Sequence, residues 1–333
     1  WNNPALTAIP EVDSNFATGR VRLGAEETKL DASGLDGTSY TRLIVVGKIP
    51  ELPVQAGLTG DGDGDRHPPL ERLVVRENPL IRTLAGVRPR RAPVGIQLVD
   101  NPELRDVSAL ADLESIRNLA LTRNSRLESV EFRGLDRIGP KGRIGAGTLE
   151  IRGNKRLRTV DFATSESASD GRAFGSVNIV KTSRLTSIQG WPSRVSRLAI
   201  VRNDSLVRLG PEGVFDTVDR AIQIRGNPKL TSLGALSKAR GADRIRIDNN
   251  DTLTGLSALS RFKQLVRLQI TGNDGLTSLR GLKALTSVEE LIVQGNACLP
   301  SSEVDWLMKR LKKKSLVSRT TERNGGGPGC SSD

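Results

Sequence analysis

The sequence predicts a mainly β protein: a right-handed parallel β-solenoid of about a dozen coils with one C-terminal helix. Three observations predict it. A unit of 23 residues anchored on asparagine recurs along the chain, the apolar spacing inside each unit switches from three to two, and one amphipathic segment follows the last unit. A fixed period of roughly 20 to 50 residues is the mark of a stacked repeat.

The stretch NDTLTGLSALSRFKQLVRLQITGN, from Asn250 to Asn273, shows the layout. Leu253, Leu256, Leu259, Phe262, Leu265 and Leu268 stand three apart, then Ile270 follows at a step of two. The stretch NDGLTSLRGLKALTSVEELIVQGN repeats it from Asn273, and NPELRDVSALADLESIRNLALTRN does so from Asn101. A step of two is a strand whose alternate residues point into a core. A sustained step of three suits 3₁₀-like or extended pieces with three residues per turn. The asparagine ends the strand and satisfies backbone groups in the turn, so stacked copies form a ladder. One coil cannot bury its own apolar residues; neighbouring coils must do it.

The anchors fall at Asn3, Glu26, Lys48, Asn78, Asn101, Asn124, Asn154, Thr182, Asn203, Asn227, Asn250, Asn273 and Asn296. Glu26, Lys48 and Thr182 depart from asparagine and mark irregular turns. The three long intervals place inserted loops near 54–69, 133–147 and 163–175. The unbroken repeat makes 1–300 a single solenoid domain, followed by a helical cap and tail over 301–333. In the cap, SSEVDWLMKRLKKK puts Val304, Leu307, Met308 and Leu311 on one helical face, and Ser302 with Asp305 resembles a capping box. The expected role is to cover the last coil, since solenoids need capped ends.

Both cysteines, Cys298 and Cys330, lie beyond the last asparagine anchor. Their even number and position predict a disulfide that staples the tail, and hence an oxidising compartment. No apolar run is long enough to cross a membrane. The chain opens at Trp1 and its only methionine is Met308, so an upstream segment is expected. Any signal peptide or lipid anchor would lie there.

The spacing L-x-I-x-x-N-x-x-L-x-x-L, as from Asn227 to Leu230 and Asn250 to Leu253, differs from the common leucine-rich pattern, whose next leucine comes two after the asparagine. It is similar to the receptor L-domain family, the ligand-binding solenoids of insulin-receptor and epidermal-growth-factor-receptor ectodomains. Bacterial surface proteins and lipoproteins carry the same repeat, and the closing GNACLPSSEVDWLMKRL with its later cysteine resembles their ends. The resemblance covers roughly residues 1 to 330. It implies a secreted, surface-attached or periplasmic recognition protein that is not an enzyme. It transfers no site residue, because fold does not give function.

The net charge of +12 concentrates on the exposed sheet face. That face carries Arg20, Arg22, Arg42, Arg72, Arg76, Arg152, Arg197, Arg225, Arg244, Arg246 and Arg267, together with Glu150, Asp248 and Glu290. Guanidinium forks suit carboxylates, phosphates and sulfates. The expected partner is an acidic protein, an anionic glycan, a lipid headgroup or a cell-envelope polymer. The plainer reading is a solvated face. Nucleic acid is disfavoured, because the face has no aromatic residue to stack bases.

Asp61, Asp63 and Asp65 alternate like the opening of a calcium loop, but Glu71 comes one residue early and Arg72 takes the final ligand position. His67, the only histidine, has no nearby cysteine or second histidine to make a zinc site. No metal or cofactor is expected. A calcium-assisted, polysaccharide-active β-helix enzyme is the catalytic alternative. A purely structural surface protein is the other. No phosphate loop, dinucleotide fingerprint or catalytic triad supports catalysis.

Overall fold

The computed structural model of the chain describes residues 17–18, 21–25, 39–40, 42–52, 70–85, 87, 89, 91–92, 94–140, 146–162, 172–312, 316, 318–322, 324–325 and 330. The chain falls into two compact units, Trp1–Ser169 and Asp170–Asp333. Among the described residues the protein is mainly β, with one α-helix near the C-terminus.

In the first unit the main strands are β1 (Val21–Ala25), β2 (Arg42–Gly47), β3 (Arg72–Arg76), β4 (Gly95–Val99), β5 (Asn118–Thr122) and β6 (Thr148–Arg152). Each pairs in parallel with the one before it. In the second unit they are β7 (Ala173–Val180), β8 (Arg194–Val201), β9 (Thr217–Arg225), β10 (Arg244–Asp248), β11 (Gln264–Thr271) and β12 (Ser287–Gln294). These too pair in parallel and in chain order. Parallel strands in strict sequence order, one per repeat, are consistent with a β-solenoid-like fold.

The switch from step three to step two has the expected cause. In the coil after Asn250, a 3₁₀ turn covers Ser257–Leu259. Leu253, Leu256, Leu259, Phe262, Leu265, Leu268 and Ile270 are all at most 5 % exposed. Further 3₁₀ turns cover Ser108–Leu110, Gly234–Leu236 and Arg280–Leu282. Full burial of such a side chain is worth about 1.5–3 kcal/mol, so each coil is held mainly by its neighbours. In the first unit the short strands Ser129–Glu131 and Thr159–Asp161 also pair, and the Phe132 and Phe162 rings stack just beyond them at 5.6 Å.

The asparagine anchors from Asn78 to Asn296 form the expected ladder and are fully buried, while the anchor positions Asn3 and Glu26 lie outside the described residues. Along the ladder a backbone N–H donates to the side-chain oxygen of the next rung, as from Asn101 to Asn124 at 3.2 Å and from Asn273 to Asn296 at 3.0 Å. Each side-chain amide donates to a strand carbonyl of the preceding coil, as from Asn250 to Ile224 at 3.1 Å. Thr182 joins through its hydroxyl, which donates to Asn203 at 2.5 Å.

Helix α1 (Ser301–Arg310) buries Val304 and Leu307, and Leu311 just past its end is also buried. Met308 is half-buried. The capping box does not form: Pro300 occupies the cap position and no side chain caps the helix. The acidic residue that docks the helix is Glu303 instead, which accepts from the Leu279 amide at 2.8 Å and the Ser278 hydroxyl at 2.9 Å. Arg280 and Arg310 both lie over the Trp306 ring, at 4.5 and 5.2 Å from its centre.

The tail does more than hang from a staple. Strand β13 (Ser318–Thr320) pairs in parallel with β12, and Asn324 supplies a further rung, accepting from the Asn296 amide at 3.2 Å. Cys298 and Cys330 are joined in a disulfide.

Candidate binding face

The strand registers set the outward residues in three rows. In the second unit the row before the first core position runs Ser176, Arg197, Ala221, Arg244, Arg267, Glu290. The middle row runs Asn178, Ala199, Gln223, Arg246, Gln269, Ile292, and the third runs Val180, Val201, Arg225, Asp248, Thr271, Gln294. Neighbouring strands stand about 4.8 Å apart, so Arg244 and Arg267 are adjacent. Ala221 separates them from Arg197.

Several of these arginines are already partnered. Arg267 pairs with Glu290 at 2.5 Å, and Arg246 pairs with Asp248 two residues along the same strand. Asp248 is only 2 % exposed despite facing outward, and the Thr271 hydroxyl donates to it at 2.7 Å. Sequence spacing alone hides this burial, because Asp248 occupies an ordinary outward position. Arg197, Arg225 and Arg244 have no carboxylate partner among the described residues; Arg197 and Arg244 are exposed and Arg225 is half-buried.

In the first unit Arg42 stands in register with Arg72. Arg42 pairs with Glu71 at 3.2 Å, Arg152 with Glu150 at 2.5 Å, and Arg76 donates to the Gln97 side chain. Arg72 has no carboxylate partner among the described residues. Arg20, the Arg22 side chain, Asp61, Asp63, Asp65 and His67 lie outside the described residues. Among the described residues no group of three or more His, Cys, Asp or Glu is placed to hold a metal ion, and no helix is long and apolar enough to cross a membrane.

The edge beside the asparagines holds a second set of charges. Arg123 donates twice to Asp100, at 2.5 Å each. That hydrogen bonding holds the Asp100 carboxyl below the usual carboxylate range, against the opposing effect of burial. Further along, burial and the neighbouring charge of Asp274 push Asp251 up.

Residues the repeat did not reveal are Glu303, Trp306 and Asn324. Asn324 lies 28 residues after Asn296, the same interval that separates Asn154 from Thr182, which is the one signal that marks it. Comparisons with protein-family models, with curated proteins and with solved structures gave no match.

Proposed function

We propose that this chain is a non-enzymatic, extracytoplasmic recognition module of the leucine-rich, receptor L-domain-like kind. Its sheet face meets an acidic partner: an anionic glycan, a cell-envelope polymer, a lipid headgroup or an acidic protein. The observation that carries the reading is the set Arg197, Arg225 and Arg244, which share one face of the second unit and lack carboxylate partners among the described residues. An unpaired guanidinium keeps its whole fork for a ligand oxyanion. Arg267 and Arg246 contribute less, since binding must first compete with Glu290 and Asp248. A disulfide is compatible with the proposed compartment.

The test is binding to an array of anionic glycans, cell-wall polymers and acidic lipids at low and high salt. The expected result is a salt-sensitive hit that disappears in the triple variant Arg197→Glu, Arg225→Glu, Arg244→Glu. Binding that survives both high salt and the triple reversal removes the sheet face from the function.

A further inference from the structure

A cavity of about 630 Å³ opens in the second unit where the 3₁₀ turns lead into the strands. Arg240, Arg261 and Lys263 line it, with Phe262 and Ala284 as apolar wall. None of its lining residues is acidic.

The repeat explains why the cations converge. Arg240 stands thirteen residues after Asn227, and Lys263 thirteen after Asn250. They therefore occupy the same place on successive coils, about 4.8 Å apart. The Lys263 carbonyl accepts from the Thr286 amide of the following coil at 2.9 Å, and the Arg240 carbonyl accepts from Val218 of the preceding one at 2.9 Å. Both backbones are fixed, so the two side chains leave from neighbouring points on the same edge. Arg261 adds a third charge from the end of the same 3₁₀ turn. Like charges held opposite one another are destabilising. Some other arginines of this chain meet a carboxylate on a neighbouring coil: Arg123 meets Asp100, Arg194 meets Asp219, and Arg267 meets Glu290. Arg240, Arg261 and Lys263 have no such partner among the described residues, and all three are exposed.

The wall is equally specific. Phe262 occupies a core position that is Ala239 in the coil before and Leu285 in the coil after. It is 2 % exposed, so it backs the cavity from the core and leaves the accessible surface to Ala284 and the side-chain stems. Gly241, at the cavity's side, has a left-handed backbone (φ 91°), and a Cβ there would meet the Val218 carbonyl oxygen at 3.3 Å. The volume lies in the usual range of small-ligand sites.

We propose that this cavity binds a phosphate monoester bearing an apolar group. Two guanidinium forks and one ammonium match a dianionic phosphate, and Ala284 with the aliphatic stems of the three cations receives the apolar part. The site uses none of Arg197, Arg225 or Arg244, so it stands or falls apart from the sheet face.

The experiment is calorimetric titration of the full chain with phenyl phosphate and with inorganic phosphate, beside sedimentation with phosphatidylcholine vesicles with and without phosphatidic acid. The expected result is that phenyl phosphate binds more tightly than inorganic phosphate. Its affinity falls about tenfold or more in the double variant Arg261→Gln, Lys263→Gln. It is unchanged in Arg197→Glu, Arg244→Glu. Arg240→Gln gives a second, independent loss should the double variant fold poorly. Phenyl phosphate binding without vesicle binding identifies a soluble ester. Binding to acidic vesicles with the same dependence on Arg261 and Lys263 identifies a lipid headgroup. No binding of either kind, equal affinity for the two phosphates, or binding that persists in the cavity variants overturns the proposal.

Discussion

The Asn227 side-chain amide donates to Asn250 Oδ1 at 3.1 Å, and the Asn227 backbone N–H donates to that same oxygen at 3.2 Å. One side-chain oxygen thus satisfies two donors of the preceding coil. The Asn250 amide nitrogen in turn donates to the Ile224 carbonyl at 3.1 Å and to Asn273 Oδ1 at 3.1 Å. All of this happens at a residue with no solvent exposure. Removing the side chain strands the buried Asn227 backbone N–H and takes a donor from the buried Ile224 carbonyl, while the Asn227 amide keeps its bond to the Ile200 carbonyl at 3.1 Å. Each orphaned group costs about 1–3 kcal/mol. Asn250→Ala should therefore lower stability by about 3 kcal/mol or more, measured as the shift in urea midpoint. A loss below about 1 kcal/mol would mean that water takes over the rung.

The residue before each rung from Asn78 to Asn296 has a left-handed backbone. Gly153, Gly226, Gly272 and Gly295 fill that place without strain, but Glu77, Asp100, Arg123, Lys181, Arg202 and Asn249 adopt it as well, with φ between 50° and 57°. A residue with a Cβ pays about 1–2 kcal/mol there, and asparagine less. Arg202 is exposed and has no ion-pair partner among the described residues. Arg202→Gly should raise stability by about 0.5–1 kcal/mol after the extra chain entropy of glycine is subtracted. Asn249→Gly should change it little. The reverse substitution, Gly226→Ala, should destabilise, since its Cβ would also stand 3.3 Å from Arg202 Cγ. Thermal unfolding of the three variants tests the ordering.

The repeat made the strands, the 3₁₀ turns and the asparagine ladder legible, because all three depend on residue type at a fixed period. Leu253 through Ile270 reads directly as one coil. What the period could not show was pairing across coils. Whether Arg244 or Arg267 is free depends on which residue the next strand places beside it. Glu290 stands in register with Arg267, while Arg244 has only arginine and alanine for neighbours. The disulfide that tethers the tail is legible from the two cysteines, but the tail's own pairing is not, for a related reason. Its strand and Asn324 do not repeat the leucine spacing, so the last coil looked finished at Asn296. The capping box of Ser302 and Asp305 is absent because the helix begins at Ser301 with Pro300 at the cap position, so Ser302 already lies inside it.

The disulfide closes a loop with a sequence separation of 32 and holds the coil that covers β12. The Gly295 amide donates to the Glu322 carbonyl at 3.0 Å and the Gly325 amide to the Asn296 carbonyl at 3.1 Å, so the described part of the tail is seated on Gly295 and Asn296 as well as along β12. Loop closure of this size is worth about 3–4 kcal/mol in the chain-entropy model. Cys298→Ser with Cys330→Ser should lower the urea midpoint accordingly. Amide exchange along β12 should speed up well before that of β10. Equal exchange in both strands would show that the tail holds without its tether.

Two carboxylates at the C-terminal end should respond to acid in opposite senses. Burial raises the Glu303 pKa, but Arg280 at 2.7 Å, the Leu279 amide and the Ser278 hydroxyl outweigh it, and the carboxyl is held below the usual range. A lowered folded value means that Glu303 adds stability above its unfolded pKa of about 4.3 and loses it as pH falls through the folded value. Asp251 is the reverse case. Burial, with the charge of Asp274, raises its pKa, so ionised Asp251 costs stability at neutral pH and the cost vanishes in acid. Glu303→Gln should therefore destabilise at neutral pH, on the order of 1–3 kcal/mol, and flatten the acid limb of the stability curve. Asp251→Asn should stabilise at neutral pH and have no effect below about pH 3, where both folded and unfolded carboxyls are protonated. Denaturant unfolding across that range separates the two. An acid limb unchanged by Glu303→Gln would show that Arg280 keeps its place over Trp306 without the carboxylate. A gain from Asp251→Asn that persists in acid would assign it to packing and not to charge.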